Sequence, residues 1–266
     1  MSHQQIAEQK QTHEQSTRSD PDPIGRCEGS EHRAIRSPAD DVVDQFIRHR
    51  RQYRRIQDNL WETYDYFDRV GRDRRAELLN QAVTFALISA QCGVAQHEAG
   101  YVNVLSVGSD QTVGEALRDA GVNYWRNKAR YIEHNHSEKP DVDRVLDHYA
   151  NGRIDRMHRA IADEYLGVGL RKAAFAMALC VTDQKMCIDT HVAESAGLDA
   201  DSVYNGVVVD RYERQCEHVL AQYPRLCDMT GSRFLSQWVC FDAQRGAITQ
   251  HDPWFLSLPQ AVDITW

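Results

Sequence analysis

Asp189 is the strongest candidate for a residue that does chemistry, because apolar and small polar residues surround it in the segment IDTHV, residues 188–192. A carboxylate in such surroundings could stabilise positive charge that develops on a reacting group and could help to orient a water molecule. The same side chain could instead cap a helix that begins at Thr190. The two roles are compatible, so capping alone does not exclude catalysis.

A glycine-containing turn, LGVG at residues 166–169, comes before a helical pattern that runs from Arg171 to Leu179. Glycine permits backbone conformations that a Cβ atom would resist. The free N–H groups at the start of the following helix suit an anionic oxygen such as a phosphate. An ordinary structural turn is the alternative when this segment is considered by itself.

The elements that must position these residues are helical. Apolar residues recur at helical spacing between Asp40 and Val70, and residues 76–105 predict two helices that are separated near Gly93. No segment alternates convincingly with period two, so a mostly α fold is predicted. Residues 1–38 lack apolar periodicity and predict a disordered tail, which leaves one helical domain over 39–266. Further helical patterns cover 112–121, 123–132, 141–152, 153–166 and 234–246.

Composition narrows the class of protein. The 266 residues are 42% hydrophobic and 26% charged, and no apolar run is long enough to span a bilayer, so we expect a cytoplasmic protein without a membrane partner. The seven cysteines form no CxxC pair, which favours reduced thiols. The net charge of −8 argues against indiscriminate nucleic-acid binding but allows a local basic face. The segment RHRRQYRR, 48–55, is either such a phosphate-facing patch or a solvated helix face.

Four segments together resemble one family. LISAQ (87–91), NYWRNKARYI (123–132), LGVG and IDTHV occur in the order found in the helix-hairpin-helix (HhH-GPD) DNA glycosylase superfamily. The resemblance covers roughly residues 75–245 and implies a two-lobed helical fold that binds double-stranded DNA in the cleft between the lobes. We expect a monomer.

The resemblance also implies roles for individual residues. Asp189 would be the catalytic carboxylate, and the hairpin N–H groups would hold a DNA backbone phosphate. Gln91 would lie near the gap left by an extruded base, or it would be a helix-capping or buried amide. Arg171 would contact DNA, and Trp238 and Phe241 would stack on the extruded base. The implied DNA-binding set is Gln91, Leu166, Gly167, Val168, Gly169 and Arg171.

The chain departs from the family pattern at two places. Members that also cleave the DNA strand carry a lysine where this chain has Arg171, eighteen residues before Asp189. A guanidinium remains charged and cannot form a Schiff base, so we expect no lyase activity. Lys172 is adjacent, but we expect its side chain to point away unless the hairpin register differs. No cofactor or metal is expected, since only Cys216, Cys227 and Cys240 follow Asp189, too few for an iron–sulfur cluster.

These observations predict a monofunctional DNA glycosylase that excises a modified base and leaves an abasic site. The reduced motif set resembles a phage-defence branch of the superfamily, so the preferred substrate is a bulky modified pyrimidine, such as glucosylated hydroxymethylcytosine in phage DNA. Three alternatives stay open: a housekeeping repair glycosylase for oxidised, alkylated or mismatched bases, a base-flipping transferase that modifies phage pyrimidines, and a DNA-binding protein without catalysis.

Overall fold

The computed structural model describes residues 38–199 and 208–246. Within these ranges there are thirteen α-helices and no strand, so the predicted mostly α class is confirmed. The predicted tail lies outside the described residues except for Pro38. The helices are α1 (Pro38–Arg48), α2 (Arg50–Arg69), α3 (Arg72–Ser89), α4 (Val94–Leu105), α5 (Val113–Asp119), α6 (Trp125–Ser137), α7 (Val142–Ala150), α8 (Ile154–Glu164), α9 (Leu170–Cys180), α10 (Thr190–Ser195), α11 (Val209–Ala221), α12 (Pro224–Thr230) and α13 (Arg233–Arg245).

Two helix boundaries can be compared with the sequence patterns. The predicted break near Gly93 is present between α3 and α4, where the Gln96 side chain accepts a hydrogen bond of 3.0 Å from the Gly93 N–H. The single pattern from Asp40 to Val70 is divided at His49, which separates α1 from α2.

None of the helices in the described ranges has the length and apolar character needed to cross a bilayer.

Helix α9 lies at the centre of the hydrophobic core. Every residue from Ala173 to Cys180 is buried, and α3 packs along α9. A helix that is apolar on all sides must be enclosed by other helices. The four alanines of α9 allow neighbouring helices to approach closely, and the hairpin before α9 is thereby fixed to the core.

The loop between α9 and α10, which ends at Asp189, is held by contacts from two helices, α8 and α11. The buried Lys185 ammonium donates to Asp155 of α8 and to Glu213 of α11, each at 2.6 Å. The Tyr212 hydroxyl of α11 donates to the Met186 carbonyl at 2.7 Å. These contacts restrain both a side chain and the backbone of the loop, so the position of Asp189 at its end is fixed.

Candidate active site

Asp189 is the N-cap of α10. Its backbone is extended, and its Oδ1 accepts a hydrogen bond of 2.8 Å from the Val192 N–H. The side chain is partly exposed and lines a cavity. The carboxylate is therefore oriented by its own helix and still faces the space where a ligand would bind.

Burial raises the pKa of the Asp189 carboxyl above its ordinary value. The hydrogen bond from the Val192 N–H and the electrostatic interactions of the carboxylate with His191 and Arg171 oppose this rise in the pKa. The site thus imposes a desolvation cost on the ionised carboxylate and offsets only part of it. Such a cost is typical of a carboxylate that is placed for chemistry.

The turn between α8 and α9 is a tight hairpin. Gly167 has a φ of +80°, and a Cβ atom at that position would lie 2.5 Å from the Tyr131 ring. The Asn135 side chain accepts from the Leu166 N–H at 2.8 Å and donates to the Leu166 carbonyl at 3.1 Å. No side chain caps α9 at Gly169, so the N–H groups in the first turn of α9 are available to bind an anion.

A cavity of about 700 Å³ lies between the hairpin end of α9, the turn after α3, the residues around Asp189 and helix α13. Phe175 stacks near Trp238 with ring centroids 6.3 Å apart, and Trp238 packs against Phe241 at 5.9 Å. These rings form an aromatic wall, and polar side chains also line the cavity. The sequence-predicted residues that line the cavity are Gln91, Arg171, Lys172, Asp189, Trp238 and Phe241.

Comparison of the fold identifies related architectures. The 8-oxoguanine DNA glycosylase of Thermotoga maritima is 15% identical, has a TM-score of 0.58 and matches over 79% of this chain and 99% of that one. The 8-oxoguanine glycosylase/lyase of Methanocaldococcus jannaschii, in complex with a 15mer DNA containing 8-oxoguanine, is 12% identical with a TM-score of 0.57, over 80% and 99%. No protein-family model and no curated protein sequence matches the chain.

The chain has the fold of the helix-hairpin-helix DNA glycosylases. This likeness is one of helix arrangement. The sequences themselves share few residues. The predicted fold class is confirmed, and the hairpin at 166–169 joins α8 to α9 in this glycosylase fold.

In this glycosylase fold, Gln91 lies in the turn after α3 with a left-handed backbone (φ 52°). The Asn123 side chain donates to the Gln91 carbonyl at 2.8 Å. The buried Lys128 ammonium donates to the Ile88 and Ala90 carbonyls at 2.8 and 2.6 Å, and burial lowers the pKa of Lys128 to about 8. Two residues from the NYWRNKARYI segment therefore hold the turn in a conformation that non-glycine residues seldom adopt.

Arg171 and Lys172 both line the cavity, so the expectation that Lys172 points away differs from the structure. The Lys172 ammonium donates to the Gly167 carbonyl at 2.8 Å, because its long stem folds back toward the hairpin. Burial, followed by the charge of Arg171, lowers the pKa of Lys172. The one-residue offset from Arg171 therefore does not remove the Lys172 amine from the cavity.

Gln237 is a cavity residue that the sequence interpretation missed. Its side chain is 4% exposed, and its Oε1 accepts a hydrogen bond of 3.1 Å from the Cys187 N–H. A backbone N–H can only donate, so this contact assigns the amide oxygen and leaves Nε2 as a donor. Helical spacing would have indicated the residue, since Gln237 lies one turn before Phe241 on the same face of α13.

Within residues 38–199 and 208–246, no group of three or more His, Cys, Asp or Glu side chains is arranged to hold a metal ion. Cys187 lines the cavity, and burial raises the pKa of its thiol to about 12. Cys187 is therefore a neutral thiol at physiological pH.

Proposed function

We propose that this chain is a monofunctional DNA glycosylase that extrudes a modified base from a duplex and hydrolyses its bond to the sugar. The observation that carries the proposal is the position of Asp189, whose carboxylate is fixed by the α10 cap and faces a cavity with an aromatic wall. An enzyme that acts on a base must remove the base from the stack and bind it in such a pocket. The fold shared with 8-oxoguanine DNA glycosylases supports the same proposal.

The proposed reaction follows from charge. As the bond between the base and the sugar breaks, positive charge develops on the sugar, and the Asp189 carboxylate stabilises that charge. The hydroxyl of a water molecule is then added to the sugar carbon, and the proton that this water loses balances the proton taken up by the departing base. The hairpin N–H groups would hold a neighbouring phosphate, which keeps the sugar in register with Asp189.

The absence of lyase activity is part of the proposal. Arg171 occupies the position at which strand-cleaving relatives carry a lysine, and its guanidinium cannot act as an amine nucleophile. Lys172 is the competing candidate, because its amine lies in the cavity with a lowered pKa. Its hydrogen bond to Gly167 favours a structural role for the amine.

The proposed substrate is a bulky modified pyrimidine, such as glucosylated hydroxymethylcytosine in phage DNA. The cavity of about 700 Å³ falls within the range of pockets that enclose drug-sized ligands, which are larger than a bare nucleobase. Gln91, Arg171 and Gln237 line the cavity and supply polar groups for a sugar or a base edge. The proposed biological role is phage defence through abasic sites in the invading genome.

Excision of 8-oxoguanine is the second candidate, and the named substrate of both fold neighbours favours it. The deciding experiment compares excision from glucosylated phage DNA with excision from duplexes that contain 8-oxoguanine, uracil or alkylated adenine. Release of free modified pyrimidine supports the proposal. Activity restricted to the second set supports housekeeping repair, and incorporation of a new group into DNA supports a transferase. Duplex binding without turnover on any of these DNAs would support a DNA-binding protein.

A further inference from the structure

A cluster of exposed arginines lies at the junction of α1 and α2, outside the cavity. Arg48 ends α1, and Arg50, Arg51 and Arg54 lie within the first turn and a half of α2. We call these four residues the arginine cluster. Among the residues that the structure describes, none of the four forms a hydrogen bond or an ion pair through its side chain.

The position of the arginine cluster opposes the stability of α2. Cations near the N-terminus of a helix are repelled by the helix dipole, and the first turn of α2 contains no acidic residue. Arg50 and Arg54 form a like-charge pair four residues apart, and such a pair destabilises a helix. Local arrangements that cost stability are expected at functional sites.

The nearest acidic residues, Asp44 and Asp58, lie four residues from Arg48 and Arg54, but among the described residues neither forms an ion pair with the cluster. Residues 1–37, which precede α1, contain six acidic and five basic residues and are therefore almost neutral. The chain as a whole has a net charge of −8, so the cluster is a local exception to an acidic protein. A bound polyanion would neutralise these arginines.

The arginine cluster is attached to the helix that forms one wall of the cavity. Tyr53, between Arg51 and Arg54, is buried, and its hydroxyl donates to Asp242 of α13 at 3.0 Å. Asp242 follows Phe241, which lines the cavity. The cluster therefore lies on the order of one or two helix diameters, about 10–20 Å, from the cavity, less than one turn of a DNA duplex.

We propose that the arginine cluster binds backbone phosphates of the duplex that flank the extruded nucleotide. The proposal rests on the proposed function, since both require duplex binding. Phosphate contacts do not read sequence, but they position a protein on DNA and make its affinity depend on salt. The cluster would thus form a second phosphate-binding surface in addition to the hairpin.

The test measures binding of the full chain to an unmodified duplex of about 30 base pairs, roughly three helical turns, at several salt concentrations. The triple variant Arg50→Gln/Arg51→Gln/Arg54→Gln should make the slope of log affinity against log salt less negative by about 2 to 3. Its thermal unfolding midpoint should be unchanged or higher, because the like-charge pair is removed. The triple Arg-to-Lys variant should retain the wild-type slope.

The matched control is Arg211→Gln/Arg214→Gln/Arg225→Gln, which removes the same charge from exposed positions of α11 and α12. An unchanged slope in the control supports a local site, whereas equal losses in both variants overturn it. A wild-type slope in the cluster variant overturns the inference and leaves the proposed function intact. Failure of the wild-type chain to bind any duplex overturns both. Loss of binding to anionic phospholipid vesicles, with DNA binding retained, would assign the cluster to another partner.

Discussion

The Asp189 carboxylate accepts a hydrogen bond of 2.8 Å from the Val192 N–H, so the proposed catalyst is also the cap of its helix. Asn can accept the same bond without the charge. We therefore expect Asp189→Asn to fold and bind DNA but to lose most excision, since a lost charge interaction in the transition state costs several kcal/mol. Single-turnover excision assays, with the exposed Asp210→Asn as control, measure this loss. Excision by Asp189→Asn within about tenfold of wild type would contradict the catalytic role.

The same variant should change stability with pH. The pKa of Asp189 is raised in the folded chain, so the folded state favours the protonated carboxyl and the ionised form destabilises the fold at neutral pH. Asp189→Asn should therefore unfold at a higher temperature than wild type at neutral pH. The difference should shrink toward zero as the pH falls to about 4, where an unfolded-state aspartate becomes protonated. Thermal unfolding followed by circular dichroism tests the trend, and a difference that is constant with pH would show that burial of the charge is not the cause.

The resemblance places Arg171 where the strand-cleaving members of the family carry a lysine. We therefore expect the product to be an intact strand that contains an abasic site. Borohydride should trap no covalent enzyme–DNA adduct, and strand cleavage should require alkali or an added endonuclease. The matched variants are Lys172→Ala in the cavity and Lys139→Ala in the exposed turn that follows α6. A trapped adduct that disappears only in Lys172→Ala would identify Lys172 as a nucleophile and refute the monofunctional proposal.

Gln237 should contribute to recognition of the base. Gln237 lines the cavity, and Gln237→Glu keeps an oxygen for the Cys187 N–H but replaces the amide donor with an acceptor. We expect excision to fall by at least about tenfold, which corresponds to one lost hydrogen bond in a desolvated site. Affinity for a duplex that already contains an abasic site should stay near the wild-type value, because no base remains to be read. An equal loss of affinity for a duplex with the modified base and for the abasic duplex would indicate a structural role for Gln237.

The two hairpin glycines should respond differently to alanine. Gly167→Ala forces a left-handed conformation, which costs about 1–2 kcal/mol, and places a Cβ against the Tyr131 ring. It should lower the unfolding temperature and weaken DNA binding. Gly169→Ala is the control, because its φ is −94° and no atom lies within 4 Å of the added carbon. Equal unfolding temperatures for the two variants would refute the packing argument.

The sequence by itself determined the helical class, the break near Gly93, the hairpin and the approximate place of Asp189. These features depend on interactions within a few residues, such as apolar periodicity, glycine conformation and helix capping. The resemblance to the family also indicated Trp238 and Phe241 as residues of the base pocket, and both line the cavity.

Only the tertiary structure decided which distant residues complete the site. Gln237 contacts Cys187 fifty residues away, and Lys128 binds the carbonyls that end α3 forty residues earlier. Lys172 enters the cavity because its long side chain bends to the Gly167 carbonyl, which helical spacing alone does not predict. These contacts depend on how whole helices pack, since burial and partner geometry set hydrogen bonding and pKa values, and neither is encoded in the spacing of neighbouring residues.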